Sequence, residues 1–105
     1  MKNYLKDAVD NHIHCCPHIN KRSTNIFEVV KHAENAGMHA IGLMDNFCNT
    51  SGYASLIKKY NPNLKLKVFG GLIMEPPAGG INLSNAKIAV NYGYEDSEGA
   101  KFISF

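Results

Sequence analysis

Short apolar runs recur along this chain about every thirty residues, and each is followed by polar residues and then by a segment with helical spacing. Strands are predicted at residues 8–14, 39–44, 67–74 and 101–105. Helices are predicted at residues 25–36, 52–60 and 84–92. This alternation is typical of a parallel sheet covered by helices and joined by right-handed crossovers. The sequence therefore predicts an α/β fold.

Local signals mark the ends of the first predicted helix. Asn25 and Glu28 have the spacing of a capping box, and Gly37 stands where a helix commonly ends in a left-handed residue. The predicted buried stripe of this helix consists of Ile26, Phe27, Val30 and Ala33.

Glycines and polar caps mark the later elements. Gly70 and Gly71 lie inside the third predicted strand and indicate a close approach of another backbone. The third helix is expected to be capped by Asn82 or Ser84 and to end at Gly93.

The length of the chain limits how complete this fold can be. It has 105 residues, whereas an eight-stranded βα barrel typically takes about 250. We therefore expect residues 1–105 to form a single partial barrel domain of order βαβαβαβ, half of a TIM-type barrel. Such a chain would be a truncated product, a fragment, or a protein that completes its sheet by self-association.

Composition argues against two classes of partner. The net charge is only +2, and the densest basic cluster, at residues 58–67, has no aromatic residues interleaved at a readable spacing, so nucleic acid is not an expected partner. No run approaches the ~20 apolar residues of a membrane helix, and the charged N-terminus does not resemble a signal peptide. We expect a cytoplasmic protein without membrane contact.

The cysteines are interpreted as thiols. There are three, and Cys15 and Cys16 are adjacent, which suits a disulfide framework poorly. A soft-metal site that joins both cysteines and His18 to His12 or His14 remains an alternative, although its spacing differs from that of structural zinc sites.

The stretch DNHIHCCPH, residues 10–18, holds the most informative side chains. His12 and His14 are two residues apart on a strand, so both imidazoles face one side and can bind one ion. Zinc is the expected metal, with manganese or iron as alternatives. Asp10 lies on the same face and could orient a histidine. The alternative is a polar loop with a chance His-x-His.

Polar residues also follow the next two strands. Asp45 comes directly after the second strand and Glu75 after the third, so both are candidate ligands or catalytic bases at the carboxyl edge of the sheet. Lys21 and Arg22, in the loop after the histidines, could bind an anionic group of a small-molecule substrate. A solvated loop is the alternative.

The motif DNHIHCCP resembles the first-strand D-x-H-x-H-x-x-P motif of amidohydrolase-like metal-dependent hydrolases. The resemblance continues in NAGMHAIGLMDN, KVFGGLIMEPPAGGIN and GAKFISF, and so covers residues 8–105. It implies the N-terminal half of that family's barrel, with His12 and His14 as metal ligands. It also implies attack of metal-activated water on an amide, ester or related bond.

A second resemblance leaves alternatives open. The PHP group of phosphoesterases also opens with D-x-H-x-H, and Asp45 and Glu75 match its acidic positions, while Asn46 stands where that group has a histidine. The expected functions are therefore a hydrolase of the first family, a PHP-type phosphoesterase, or a catalytically inactive half-barrel that binds metal or a partner. In each case a homo-oligomer or a separate C-terminal half would complete the barrel.

Overall fold

The computed structural model describes residues 3–94 and 99–105, and within them four parallel strands form one curled sheet of half-barrel shape. The strands are β1 (Val9–Ile13), β2 (Ala40–Leu43), β3 (Lys67–Ile73) and β4 (Phe102–Ser104). The helices are α1 (Ile26–Asn35), α2 (Ser51–Tyr60) and α3 (Leu83–Ala89), with a 3-10 turn at Pro76–Ala78. The strands lie in the sheet in chain order, β1-β2-β3-β4. The α/β prediction and the order of its elements are confirmed.

Helix α1 begins and ends where the sequence predicts. Glu28 donates its backbone N–H to Asn25 Oδ1 at 2.9 Å, and Asn25 donates its own to Glu28 Oε1 at 3.1 Å, which completes the capping box. Gly37 has a φ of +73°, a left-handed conformation that costs glycine little.

The predicted buried stripe of α1 is wrong at Phe27. Ile26, Val30 and Ala33 are buried, but the Phe27 side chain is 75% exposed. Successive residues of a helix are rotated by about 100° around its axis. Phe27 therefore points away from the face that Ile26 shares with Val30 and Ala33, four and seven positions further on. Val29, which lies on that face, is partly buried against the core instead.

The main core lies between the sheet and the first two helices. Ile41 and Leu43 of β2 and Val68 of β3 are nearly inaccessible and pack with Ile57 of α2 and the buried residues of α1. A smaller cluster joins β3 to α3 and to the segment before β4, and it consists of Leu72, Met74, Ala89 and Ala100.

Hydrogen bonds join Thr50, at the start of α2, to both central strands, β2 and β3. The Thr50 hydroxyl donates to the Leu43 carbonyl at the end of β2 and accepts the N–H of Gly71 in β3 at 2.9 Å. The backbone N–H of Thr50 donates to the Gly71 carbonyl at 3.1 Å. A Cβ on Gly70 would lie 2.4 Å from the backbone N of Ser51, so the predicted close approach is confirmed.

Helix α3 is shorter than predicted. It is capped by Asn82, whose side chain accepts the N–H of Asn85, and its last helical residue is Ala89 instead of Tyr92. The returning chain explains the early end, because Ala100 donates its backbone N–H to the Ala89 carbonyl at 2.8 Å. A Cβ on Gly99 would lie 2.3 Å from Val90, so the two segments are in direct contact.

Within the described ranges, no helix combines the length and apolar character that crossing a bilayer requires.

The Thr50 contacts generate a stability prediction. Thr50→Val keeps the shape of the side chain but leaves the Leu43 carbonyl and the Gly71 amide without this buried partner, which should lower the free energy of unfolding by about 1–3 kcal/mol. Thr50→Ser keeps the hydroxyl and should lose about 1 kcal/mol or less. Urea unfolding followed by circular dichroism compares the two, and equal losses would contradict the role of the hydroxyl.

A second stability prediction concerns Gly70. The three atoms nearest to a Cβ there are backbone atoms of Thr50 and Ser51, which cannot rotate away, so Gly70→Ala should cost about 1–3 kcal/mol. Gly52→Ala is the matched control, because its Cβ would meet the Tyr92 ring at 2.9 Å and that side chain can move. The control lies in α2, where alanine is favoured, and should be near neutral. A Gly70→Ala chain as stable as the control would refute this packing.

Candidate metal centre

The polar residues that follow the first three strands lie close together at the carboxyl edge of the sheet. His18 Nε2, beyond β1, is 3.9 Å from Oδ1 of Asp45, beyond β2. Asn46, next to Asp45, donates from Nδ2 to Oε1 of Glu75, beyond β3, at 3.0 Å. Parallel strands end at a common edge, which is why residues about thirty positions apart meet here.

The two imidazoles of the His-x-His pair converge. His12 Nε2 and His14 Nε2 are 3.0 Å apart. This separation is that of a hydrogen bond between the two rings. Two nitrogens bound to one zinc ion at about 2.0–2.1 Å in tetrahedral geometry lie about 3.3–3.4 Å apart, so the rings need to separate by only a few tenths of an ångström to bind one ion together.

The surroundings of His14 favour its neutral form. Burial lowers the pKa of His14, and the nearby His12, Arg22 and His18 lower it further, while Asp45 acts in the opposite direction. A metal binds imidazole only in the deprotonated form, so this environment suits a ligand. The Nδ1 atom of His14 is buried without a hydrogen-bond partner among the described residues, so the ring lacks the fixed orientation that metal-bound histidines usually have.

Asp10 contacts the backbone of the ligand strand. Its Oδ1 accepts the backbone N–H of His12 at 3.1 Å, and no hydrogen bond to an imidazole is found for it among the described residues. The pairing of β1 with β2 shifts register between Asp10 and Ile13, so the strand is irregular at this point. Asp10 therefore supports the conformation of the strand that carries the histidines.

Asp45 lies beside the rings of His14 and His18, and it is buried with 6% of its surface exposed. Its Oδ1 accepts the backbone N–H of Phe47 at 2.8 Å, and its charge acts on His14. Glu75 is half-buried and is held by Asn46, and none of its described contacts reaches the histidines. Residues 3–94 and 99–105 contain no group of three or more histidines, cysteines or carboxylates arranged to hold an ion. The chain thus offers a converging pair of donors with one carboxylate nearby.

His18 and Arg22 line the site beside the pair. The His18 side chain is 1% exposed, and its ring meets His14 and Phe47 edge-on, with centroids 5.8 and 5.6 Å away. Arg22 Nη2 lies 3.3 Å from His18 Nε2, so Arg22 is part of the site and not of a solvated loop. The sequence pointed to His18 only as part of a soft-metal alternative with the cysteines, and to Arg22 as a residue that could bind an anionic group.

Backbone hydrogen bonds explain how this loop returns to the site. Cys16 donates its N–H to the Thr24 carbonyl at 2.9 Å, and its carbonyl accepts the N–H of Ile26 at 2.9 Å. The two ends of the loop are thereby held together, and the segment between them folds back over the strand end.

The cysteines are free thiols, as predicted. Cys15 is buried in the main core, and burial raises the pKa of its thiol. Burial also raises the pKa of the Cys48 thiol, which hydrogen-bonds to Tyr53 and Asp45. Both thiols are therefore protonated near neutral pH, the form that binds metal poorly.

Residues 7–105 match the model of a family described as being of unknown function, DUF6282. No curated protein and no solved structure gives a match.

The geometry of the pair predicts metal binding. We expect close to one zinc ion per chain after purification without chelator or affinity tag, and almost none in His12→Ala/His14→Ala, because two converging nitrogens are lost. His32→Ala/His39→Ala is the control, since both of these histidines are exposed and neither lies at the carboxyl end of a strand. Mass spectrometry of the metal content makes the measurement. Equal metal in both double variants would contradict this assignment.

Proposed function

Since the chain belongs to DUF6282, a family of unknown function, we propose its activity from the site itself: it is a metal-dependent hydrolase whose ion is held by His12 and His14. The observation that carries this proposal is the 3.0 Å spacing of the two Nε2 atoms at the carboxyl end of β1. In βα folds of this kind, ligands bind and reactions occur at the carboxyl ends of the strands.

The proposal includes a larger architecture. The strands alternate with helices along the chain, lie in chain order in the sheet and form a curled sheet. These features support the proposal that the chain is half of a TIM-type barrel. With Asp45 assigned as the base, the two imidazoles are one ligand fewer than the three protein ligands that a catalytic zinc site with an activated water normally has. We therefore infer that further ligands come from outside these residues, either from a second copy of the chain or from additional sequence.

A zinc ion in this position would polarise the scissile group and bring the pKa of a bound water toward neutrality. The residues of the chain have separate roles around it. His12 and His14 would hold the ion through their Nε2 atoms, and Asp10 supports their strand through the His12 amide. Asp45, buried beside His14, accepts the proton of the attacking water. Glu75, oriented by Asn46, is the second candidate base.

The proposed reaction predicts zinc-dependent turnover. The zinc-loaded chain, assayed at several concentrations to allow for self-association, should hydrolyse carboxylic esters or amides. Activity should vanish in His12→Ala/His14→Ala. It should fall about 10²–10⁴-fold in Asp45→Asn, which keeps the shape of the side chain but cannot accept a proton in the same way. Glu75→Gln is the matched carboxylate control and should lose less.

The substrate panel also separates the alternatives. Turnover of phosphate monoesters alone would favour the PHP-type phosphoesterase over the amide or ester hydrolase. Stoichiometric zinc without turnover of any substrate class, in monomer and oligomer alike, would contradict the hydrolase and favour an inactive metal-binding chain.

A further inference from the structure

Two nitrogen donors face each other beside the histidine pair. Arg22 Nη2 is 3.3 Å from His18 Nε2, in a place where the His18 ring is almost fully buried. A guanidinium nitrogen is always a donor, because arginine does not lose its proton in proteins. Whether the two atoms can bind each other therefore depends on which nitrogen of His18 carries the hydrogen.

A hydrogen bond at the other side of the ring answers this. Asn20 donates its backbone N–H to His18 Nδ1 at 3.0 Å, so Nδ1 is the bare nitrogen. A neutral imidazole has only one bare nitrogen, and the proton of His18 consequently lies on Nε2. His18 Nε2 and Arg22 Nη2 are thus both donors, and neither can accept from the other.

A third donor lies on the same edge of the guanidinium. Arg22 Nε is buried and has no hydrogen-bond partner among the described residues. Nε and Nη2 form the side edge of the planar guanidinium, the pair of N–H groups that binds both oxygens of a carboxylate at once. Asp45 does not fill this place, because its Oδ1 is 3.9 Å from His18 Nε2 and Arg22 Nε finds no acceptor among the described residues.

We propose that Arg22 and His18 form a binding site for a carboxylate group of a small molecule. One carboxylate oxygen accepts from Arg22 Nε, and the other accepts from Arg22 Nη2 and His18 Nε2. A single negative charge suits the place, because Arg22 supplies one positive charge and Asp45 stands close enough to oppose a dianion. Phosphate, with its second charge, should bind less well.

The site adjoins the proposed metal ligands, since the rings of His18 and His14 are in contact. A carboxylate bound there would hold the scissile bond of the same molecule beside the histidine pair. That the carboxylate belongs to the substrate rests on the proposed hydrolase function. The binding of a carboxylate by Arg22 and His18 does not, and it can be measured without metal.

Arg22 itself provides the readout, because it is the only arginine in the chain. In ¹⁵N-labelled, metal-free protein its Nε–H gives a single side-chain NMR signal, which is titrated with acetate and, separately, with inorganic phosphate. We expect a saturable shift with acetate and weaker binding of phosphate. Backbone amide signals of residues 18–24 give the acetate affinity in variants that lack the arginine.

Two variants and one control complete the test. Arg22→Gln and His18→Asn should each weaken acetate binding by about tenfold or more, because each removes donors to a charged group. Lys21, the other basic residue of this loop, is exposed and makes no hydrogen bond or ion pair among the described residues, so Lys21→Gln should leave the affinity unchanged. Backbone spectra of the variants verify that they are folded.

The outcomes separate this proposal from the hydrolase proposal. The absence of a saturable shift, equal affinity in Arg22→Gln and wild type, or tighter binding of phosphate than of acetate would each overturn the carboxylate site. Saturable acetate binding that depends on Arg22 and His18 supports it, even in a chain that binds no zinc and hydrolyses nothing.

Discussion

The hydroxyl of Thr50 is the contact on which the arrangement of the site depends. It joins the carbonyl at the end of β2 to an amide in the middle of β3, and it fixes the start of α2 against both strands. The segment between β2 and α2 carries Asp45 and Asn46. The Thr50 contacts fix both ends of this segment independently of the side-chain contacts at the carboxyl edge of the sheet. Gly70 allows this approach because it has no Cβ to fill the space. The positions of Asp45 beside His14 and of Asn46 against Glu75 follow from that fixed segment.

Basic side chains outnumber carboxylates around the histidine pair. Three imidazoles and one guanidinium lie near a single buried carboxylate, and the pKa of His14 is lowered mainly by burial and then by the nearby His12, Arg22 and His18. Neutral imidazoles with converging nitrogens suit a cation, whereas unpaired N–H donors on Arg22 suit an anion. The two proposals therefore concern adjacent groups that bind ions of opposite charge. Together they describe a place where a bound carboxylate would lie next to a metal ion.

Much of this arrangement could be predicted from local sequence patterns. The alternation of runs gave the order of strands and helices, and the spacing of Asn25 and Glu28 gave the first cap. The two-residue spacing of His12 and His14 predicted their convergence because side chains alternate along a strand. The features that could not be predicted depend on contacts between distant parts of the chain or on the exact rotation of a helix. The end of α3 is set by residues 99–100, and the place of Arg22 is set by backbone bonds that close its loop. Phe27 is exposed because it is adjacent to Ile26 and is rotated by about 100° from it, so the two side chains cannot both point directly at the core.

The central claim is that His12 and His14 bind one metal ion together. A crystal structure of the zinc-loaded chain, with an anomalous difference map at the zinc absorption edge, tests it most directly. We predict a peak about 2.0–2.1 Å from both Nε2 atoms at the carboxyl end of β1. A peak bound instead by Cys15 and Cys16, or zinc found only on exposed histidines such as His32, would contradict the account.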